Sequence, residues 1–253
     1  MNFIIKNLSA KIDNVNILNN ISLSLKTGDV LAISGLNGSG KTTLLKSIMK
    51  HFSLNIKGDI NLDKTNFNKL DTYKISKLGV YYVPQHSLEL NGVQTLSILR
   101  TINKARDNIP FSELFKQTDE FINKMDLPNE ILNRNLNVGF SGGQKKKIEL
   151  LQAQVFNPKV LLIDEIDSGV DTDSLKKIAQ YLNSIKKHTI ILIISHNNTF
   201  LNAIKPTKAL VLGKGDMIAY GTPNLLNQIE RKGYGQFIKT KAEPRAVCTK
   251  HKK

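Results

Sequence analysis

The sequence predicts an α/β fold, in which a mainly parallel β-sheet packs against helices and carries an inserted helical lobe. Three observations support this prediction. Strand and helix patterns alternate from residue 159 onward, the stretch from about 90 to 157 has helical character, and a glycine-rich loop follows a short apolar strand near residue 35. Alternating strands and helices are typical of parallel sheets, because each helix returns the chain to the same end of the sheet.

The N-terminal part is predicted to consist of strands. Residues 3–5 and 17–25 are apolar and rich in β-branched side chains, and 21–25 alternate as in a half-buried strand. A turn is expected at 27–29, followed by a buried strand at 30–33. From Thr42 the apolar residues recur at helical spacing.

The remaining elements follow from the same patterns. The middle block predicts helices, and the later part predicts apolar strands of four to six residues around one long helix. The predicted helices are 111–125, 141–156 and 172–185, and the predicted strands are 160–163, 189–194 and 209–212.

The composition of the chain excludes several classes of protein. The chain has 253 residues, a formal charge of +15 and a single cysteine, Cys248, which excludes an internal disulfide framework and a multi-thiolate metal site within one chain. No segment approaches the roughly 18 consecutive apolar residues of a membrane span. The start lacks the pattern of a secretory signal, so we expect a cytoplasmic protein. The basic tail at 241–253 is expected to be disordered.

A phosphate-binding loop is predicted at 35–42. The sequence Gly35-Leu36-Asn37-Gly38-Ser39-Gly40-Lys41-Thr42 fits G-x-x-x-x-G-K-[ST] and stands between a strand and a helix. Glycines let backbone N–H groups close around phosphate oxygens, and the helix N-terminus favours negative charge. In such loops the lysine contacts the β- and γ-phosphates, and the threonine hydroxyl binds Mg²⁺. We therefore predict nucleotide binding here.

Two carboxylates follow the strand 160–163. Asp164 is expected to face the Mg²⁺ of the phosphate-binding loop, and Glu165 is expected to lie beside the γ-phosphate, where it can orient or polarise water. The alternative is a strand that ends in two exposed acids. The loop at 35–42 makes the functional interpretation the stronger one.

A second anion-binding segment is predicted at the start of the helix 141–156. Ser141 and Gln144 fit a helix capping box, but a capping box does not explain Gly142 and Gly143, which weaken a helix start. Bare N–H groups at a helix N-terminus favour an anion. A phosphate partner therefore explains the segment better.

Together these motifs resemble those of ATP-binding-cassette (ABC) ATPases. Gln85 resembles the Q-loop glutamine of that family, the segment 168–171 its D-loop, and His196 its switch histidine. The resemblance implies a P-loop NTPase of the ABC type with an N-terminal antiparallel β portion. It further implies a single cassette at 1–240, with a core at 1–89 and 158–240 and a helical lobe at about 90–157.

The resemblance also implies a set of site residues for ATP and Mg²⁺. Catalysis is expected from Lys41, Glu165 and His196, and metal binding from Thr42, Gln85 and Asp164. The ATP site of this family is composite, so a transient homodimer on ATP binding is expected. The residues expected to contact nucleotide are Gly35, Asn37, Gly38, Ser39, Gly40, Lys41, Thr42, Thr43, Gln85, Ser141, Gly142, Gly143, Gln144 and Asp171, of which Ser141 and Gly143 would act on the nucleotide of the other copy.

A narrower resemblance is to the SufC type, the ATPase of an iron–sulfur cluster assembly system. Segments 139–147, 164–171, 90–93 and 232–235 are similar to that type. It implies scaffold partners similar to SufB and SufD, with no direct nucleic-acid partner and no membrane insertion. The chain departs from the type at Gln144 and Lys147, where the usual residues are Glu and Arg. It also lacks the aromatic residue that many ABC proteins carry near 11–16, so we expect an aliphatic contact to the base from Ile12 or Val15.

The sequence raises three alternatives to an ATPase of cluster assembly. The chain could be the ATP-binding subunit of a membrane transporter, which shares all the catalytic residues. A nucleic-acid-associated ABC protein would explain the positive charge, but such proteins usually carry two cassettes or a coiled-coil insertion, and neither is present here. A purely structural cassette would not retain Lys41, Asp164, Glu165 and His196.

Overall fold

The computed structural model describes residues 1–234, and within them the strands form one ten-stranded sheet. Along the sheet the strand order is β5-β4-β1-β2-β10-β9-β3-β8-β7-β6. The strands are β1 (Asn2–Ile12), β2 (Val15–Lys26), β3 (Val30–Gly35), β4 (Asn55–Leu62), β5 (Thr65–Asn66), β6 (Val80–Val83), β7 (Val160–Asp164), β8 (Ile190–Ile194), β9 (Lys208–Gly213) and β10 (Asp216–Gly221).

Helices cover the faces of this sheet. They are α1 (Lys41–Ile48), α2 (Thr72–Lys77), α3 (Thr95–Ala105), α4 (Phe111–Lys124), α5 (Gly142–Phe156), α6 (Thr172–Ile185), α7 (Asn198–Ile204) and α8 (Asn224–Lys232), with a 3-10 turn at Asn129–Leu132. Every predicted helix is present with bounds within one residue of the expected ones.

The predicted parallel core is confirmed. Strands β6, β7, β8, β3 and β9 run parallel to one another, with Leu31 of β3 paired to Leu192 of β8 and Leu162 of β7 paired to the same residue. The carboxyl ends of parallel strands meet at one edge of a sheet, which is where such folds bind ligands. This edge carries the C-terminal residues of β3 and β7, Gly35 and Asp164.

The antiparallel N-terminal portion is confirmed as well. Strand β1 pairs antiparallel with β2 and β4, and β4 pairs antiparallel with β5. Strand β10 links this portion to the core, since it pairs with β2 on one side and with β9 on the other. The structure therefore closes the two parts into one continuous sheet.

Two apolar clusters lie on opposite faces of the core strands, because successive strand side chains alternate between faces. In β3, Leu31 and Ile33 face the cluster that includes α1, whereas Val30 and Ala32 face the cluster that includes α5 and α6. Strand β7 divides in the same way: Leu162 lies in the α1 cluster, and Leu161 and Ile163 lie in the other. Asp164 is two residues beyond Leu162, so it shares the α1 face.

Several elements were not predicted from the sequence. These are β4, β5, α2, β6, α7, β10 and α8, and β1 extends well past the predicted residues 3–5. Strand β4 alternates polar residues with Ile56, Gly58, Ile60 and Leu62, but Gly58 weakens this strand pattern, and α2 and α7 are shorter than two full turns. No helix in the part of the chain that the structure describes is long and apolar enough to cross a membrane. The predicted disordered tail at 241–253 lies outside the described residues.

Candidate functional site

The phosphate-binding loop joins the end of β3 to the start of α1 and depends on its glycines. Gly35 has a φ of 150°, and a Cβ there would lie 2.3 Å from the carbonyl oxygen of Leu212 and 2.6 Å from Ser39 Oγ. Gly40, the N-cap of α1, has a left-handed φ of 99°, and its Cβ would come within 2.6 Å of Leu18. Any larger residue would clash at both positions, which is why the loop can pass this close to the sheet.

Lys41 lies inside the loop rather than in solvent. It is 6% exposed, and its Nζ donates hydrogen bonds to the carbonyl oxygens of Gly35 (2.8 Å) and Leu36 (3.1 Å). Burial lowers the pKa of Lys41, and the nearby charges of Glu165 and Asp164 oppose that shift. The structure thus holds the Lys41 ammonium against two backbone carbonyl oxygens of the loop, which places a positive charge where the loop would bind phosphate.

Asp164 is fully buried at the end of β7, and hydroxyl groups satisfy both of its oxygens. Oδ1 accepts a hydrogen bond from Thr42 Oγ1 at 3.1 Å, and Oδ2 accepts one from the Tyr82 hydroxyl at 2.9 Å. Burial and the charge of Asp164 raise the pKa of Tyr82 well above its usual value, so this hydroxyl remains a donor. Tyr82 was not among the predicted site residues, because a tyrosine in an apolar strand gives no sequence signal of a polar partner.

Glu165 follows Asp164 in a left-handed conformation with a φ of 47°, which a residue with a side chain rarely adopts. Gln85 Nε2 donates a hydrogen bond to Glu165 Oε2 at 2.5 Å, and His196 Nε2 lies 3.6 Å from Oε1. The Glu165 backbone N–H donates to the carbonyl oxygen of Ile194 at the end of β8. The ends of strands β6, β7 and β8 therefore bring three predicted site residues, Gln85, Glu165 and His196, into one constellation around the Glu165 carboxylate.

A cavity of about 550 Å³ lies at this edge of the sheet. Its walls combine the phosphate-binding loop, the constellation around Glu165 and two aliphatic residues of the antiparallel portion, Ile12 and Ile17. Val15, the other predicted base contact, is 61% exposed and is not part of the wall. The lining residues are Ile12, Ile17, Asn37, Gly38, Ser39, Gly40, Lys41, Thr42, Thr43, Gln85, Glu165 and His196.

The chemistry of the site fits Mg²⁺ held jointly with a phosphorylated ligand. The side chains of Thr42, Gln85 and Asp164 each offer an oxygen atom as a ligand, and Mg²⁺ prefers oxygen ligands. Among the described residues, no group of three or more His, Cys, Asp or Glu side chains is placed to hold a metal by itself. Mg²⁺ commonly uses one or two protein ligands and completes its shell with water and substrate phosphates. Ser39 Oγ is buried without a hydrogen-bond partner within the described residues, which leaves it free to bind a ligand oxygen.

The segment 141–144 lies apart from this cavity. The capping box is present: the Ser141 side chain accepts from the Gln144 N–H, and the Gln144 side chain accepts from the Ser141 N–H. Ser141 and Gly142 are exposed, and none of residues 141–144 lines the cavity among the residues described. The exposed helix start therefore remains available to a ligand outside this chain's own cavity.

Asp171 lies beside that helix start, and the structure gives it a local role as well. A Cβ on Gly143 would lie 3.8 Å from Asp171 Oδ2, and Asp171 caps α6 by accepting a hydrogen bond from the Ser174 N–H at 2.8 Å. Hydrogen bonds from Ser174 lower the pKa of Asp171. Asp171 does not line the cavity, so its expected contact with nucleotide also requires a second chain.

Lys146 connects helix α5 to the loop that carries Gln85, and sequence analysis missed it. This lysine is 5% exposed, and its Nζ donates hydrogen bonds to the carbonyl oxygens of Pro84 and Gln85. Burial lowers the pKa of Lys146, and the charges of Glu149, Asp164, Asp167 and Glu165 oppose that shift. A run of three lysines in a helix usually faces solvent, so the sequence offered no reason to expect a buried one.

Comparisons with known proteins agree with this geometry. Residues 18–168 match the family model described as ABC transporter. The probable ATP-dependent transporter ycf16 of Antithamnion sp. is 38% identical over 243 residues, covering 93% of this chain and 97% of that protein. Vegetative protein 296 of Bacillus subtilis is 34% identical over 236 residues, covering 91% and 90% of the two chains.

Solved structures share the fold at lower sequence identity. The ATP-binding subunit of an ABC transporter superposes with a TM-score of 0.79 at 20% identity, covering 96% of this chain and all of the other. A dimeric ATP-binding cassette in a post-hydrolysis state, bound to ADP and Pi, gives a TM-score of 0.74 at 21% identity, with 87% and 98% coverage. The similarity thus extends through the core and the helical lobe.

Proposed function

Since this chain belongs to the ABC transporter family, whose cassettes are ATPases that bind ATP with Mg²⁺, we propose that it is the ATPase subunit of a Suf-type iron–sulfur cluster assembly machine. The observation that carries the ATPase assignment is the convergence of the phosphate-binding loop, Glu165, Gln85 and His196 on one cavity, with the buried Asp164 hydrogen-bonded to Thr42 beside it. We propose a single cassette at 1–240, built from a core at 1–89 and 158–240 and a lobe at 90–157, in a cytoplasmic protein.

In this proposal each residue of the cavity has one task. Lys41 and the loop N–H groups bind the phosphates, and Thr42, Asp164 and Gln85 hold Mg²⁺, which neutralises phosphate charge when bound. Glu165 orients and polarises the attacking water, because its carboxylate is held by Gln85 and faces the cavity. His196, 3.6 Å from Glu165, contacts the γ-phosphate.

The site is completed by a second copy of the chain. Ser141, Gly142, Gly143 and Gln144 present a helix N-terminus at the surface, where it can reach the nucleotide held by another copy. One structural neighbour is a dimeric cassette bound to ADP and Pi, which supports this arrangement. We therefore propose a transient homodimer that forms when ATP binds.

The assignment to cluster assembly rests on sequence details outside the shared motifs. Ile166 stands where most transporter cassettes carry Pro, and Asp167 stands where they carry Thr or a small residue. Segment 139–147 is similar to the SufC type. The partners would be scaffold subunits similar to SufB and SufD. The alternative is the ATP-binding subunit of a membrane transporter, which the name of the Antithamnion relative favours.

The surface that would contact the partner is the loop at 85–93. Leu88 is 63% exposed, although the backbone around it is fixed by a hydrogen bond from Asn137 Nδ2 to its carbonyl oxygen (2.9 Å) and by the ion pair between Glu89 and Lys145. Leu90, by contrast, packs against the core, so a charge there would damage the fold. We propose this loop because it connects Gln85 to the helical lobe, and Leu88 is its exposed large apolar side chain.

We expect Leu88→Glu to dissociate the partner complex and to leave ATP binding unchanged, because Leu88 does not line the cavity. The measurement is affinity purification from native cells without detergent, followed by identification of the bound chains. Phe52→Glu is the matched control, since Phe52 is 94% exposed and lies between α1 and β4, outside the loop at 85–93, so this variant should retain the partner. Recovery of soluble scaffold subunits supports the cluster-assembly function. Recovery of a polytopic membrane protein that requires detergent would instead favour the transporter.

The wall formed by Ile12 and Ile17 suggests an aliphatic contact to the base. Replacing Ile12 with Tyr should tighten ATP binding about fivefold, since stacking of a base on an aromatic ring contributes about 1 kcal/mol or more. Equilibrium titration with ATP measures this change. Val15→Tyr is the control, because Val15 lies outside the wall and should leave the affinity unchanged. Equal affinities for both variants and the parent would argue against a base at Ile12.

A further inference from the structure

Tyr82 contacts the candidate metal ligand from a neighbouring strand. Strands β6 and β7 are parallel and pair Tyr82 with Leu162, so Tyr82 and Leu162 share one face of the sheet. Asp164 lies two residues beyond Leu162 on that face. The length of a tyrosine side chain spans this diagonal and places the hydroxyl 2.9 Å from Asp164 Oδ2.

The hydrogen bond matters because Asp164 has no access to solvent. Its exposure is 0%, and the two hydroxyls of Thr42 and Tyr82 are the hydrogen-bond donors that its side chain has within the described residues. Thr42 is itself a candidate Mg²⁺ ligand, so its hydroxyl must adjust when the metal binds. Tyr82 is then the remaining fixed donor that determines the rotation of the carboxylate.

We propose that Tyr82 is a positioning residue for Mg²⁺: its hydroxyl holds Oδ2 of Asp164 and thereby directs Oδ1 toward Thr42 and the metal. This inference rests on the proposed role of Asp164 as a metal ligand. Groups that orient a metal ligand through a hydrogen bond typically change metal affinity 10- to 100-fold when they are removed. Tyr82 is also three residues before Gln85, so the same short segment carries a positioning residue and a candidate ligand.

The test is the Mg²⁺ dependence of ATP binding by the full chain. Tyr82→Phe removes only the hydroxyl and keeps the ring that packs against the α1 cluster. Calorimetric titrations with ATP at a series of free Mg²⁺ concentrations give the Mg²⁺ midpoint of binding. We expect this midpoint to rise about tenfold or more in Tyr82→Phe. ATP binding in excess chelator should be the same as for the parent protein, because the phosphate-binding loop is intact.

Tyr81→Phe is the matched control. It removes a hydroxyl from the same strand, but Tyr81 points to the opposite face, where its ring packs against Phe156 at a centroid distance of 4.8 Å. Its Mg²⁺ midpoint should equal that of the parent. Thermal melting without metal reports any loss of stability, which a merely structural hydroxyl would cause without moving the midpoint.

The outcomes separate this inference from the proposed function. If the parent protein binds ATP without any dependence on Mg²⁺, the proposed metal site is wrong. If the parent depends on Mg²⁺ and the midpoint of Tyr82→Phe differs from it by less than about threefold, Tyr82 does not position the metal ligand. A larger shift that Tyr81→Phe does not share supports the inference.

Discussion

Replacing Glu165 with Gln is expected to lower the rate of ATP hydrolysis about a hundredfold to ten-thousandfold, which is the typical contribution of a general base. The amide keeps the size of the side chain and can still accept the hydrogen bond from Gln85, so the cavity should keep its shape. It has no negative charge, however, and cannot take up a proton from water. ATP should therefore bind and persist, and the chain should accumulate as an ATP-bound dimer.

Steady-state phosphate release and size-exclusion chromatography with ATP and Mg²⁺ measure the two effects. Glu130→Gln, an exposed glutamate in the 3-10 turn, is the matched control and should behave as the parent protein does. Lys41→Ala is the contrasting variant, because it removes the buried charge from the phosphate-binding loop and should weaken ATP binding itself. If Glu165→Gln hydrolyses ATP at the parental rate, Glu165 does not position the water.

Replacing Ser141 with Arg is expected to lower hydrolysis by about a hundredfold or more, as the loss of an electrostatic contact to a transition state does. A cation at a helix N-terminus opposes the helix dipole, and the long Arg side chain would occupy the place of the phosphate that the other copy's nucleotide presents there. ATP binding to the chain's own cavity should persist, because Ser141 does not line it. Ser112→Arg places the same residue in the first turn of α4 and should leave the rate unchanged.

A mixing experiment tests whether the site is shared between copies. Lys41→Ala and Ser141→Arg should each hydrolyse ATP far more slowly than the parent protein when assayed alone. In a mixed dimer, one site combines the intact phosphate-binding loop of one copy with the intact Ser141 segment of the other, so part of the lost rate should return. The parental rate should also rise more steeply than linearly with protein concentration. No recovery on mixing, together with a linear dependence, would show that each chain hydrolyses ATP by itself.

The sequence predicted the core of the fold because its strands are buried on both faces. Strands β7 and β8 read as uninterrupted apolar runs, and the glycine-rich loop has a required position between a strand and a helix. Strand β4 alternates polar and apolar residues but was not predicted, because Gly58 interrupts the apolar face of a weak pattern. Helices α2 and α7 were missed because six and seven residues are too few to show helical periodicity. Such short segments depend on packing against neighbours, which the local sequence does not record.

The candidate site shows the same division. Most residues that line the cavity lie at or just beyond strand ends, where a short motif suffices to indicate them, whereas Ile17 lies inside β2 and was not among the predicted site residues. Tyr82 and Lys146 act through hydrogen bonds to partners 82 and 61 or more residues away in sequence, and their own neighbours give no sign of those partners. Asp171 was predicted as a nucleotide contact, and its role as the cap of α6 became visible only with the geometry.

The left-handed backbone conformation of Glu165 lowers the stability of the fold at the residue that we propose to be catalytic. In this region of φ, a residue with a Cβ lowers the free energy of unfolding by about 1 kcal/mol relative to glycine. A search for stabilising substitutions at left-handed positions would therefore favour glycine at 165 and would remove the carboxylate from the cavity. With Glu165 in its proposed role, a variant of this chain selected by melting temperature alone would lose turnover at the residue where its stability improves.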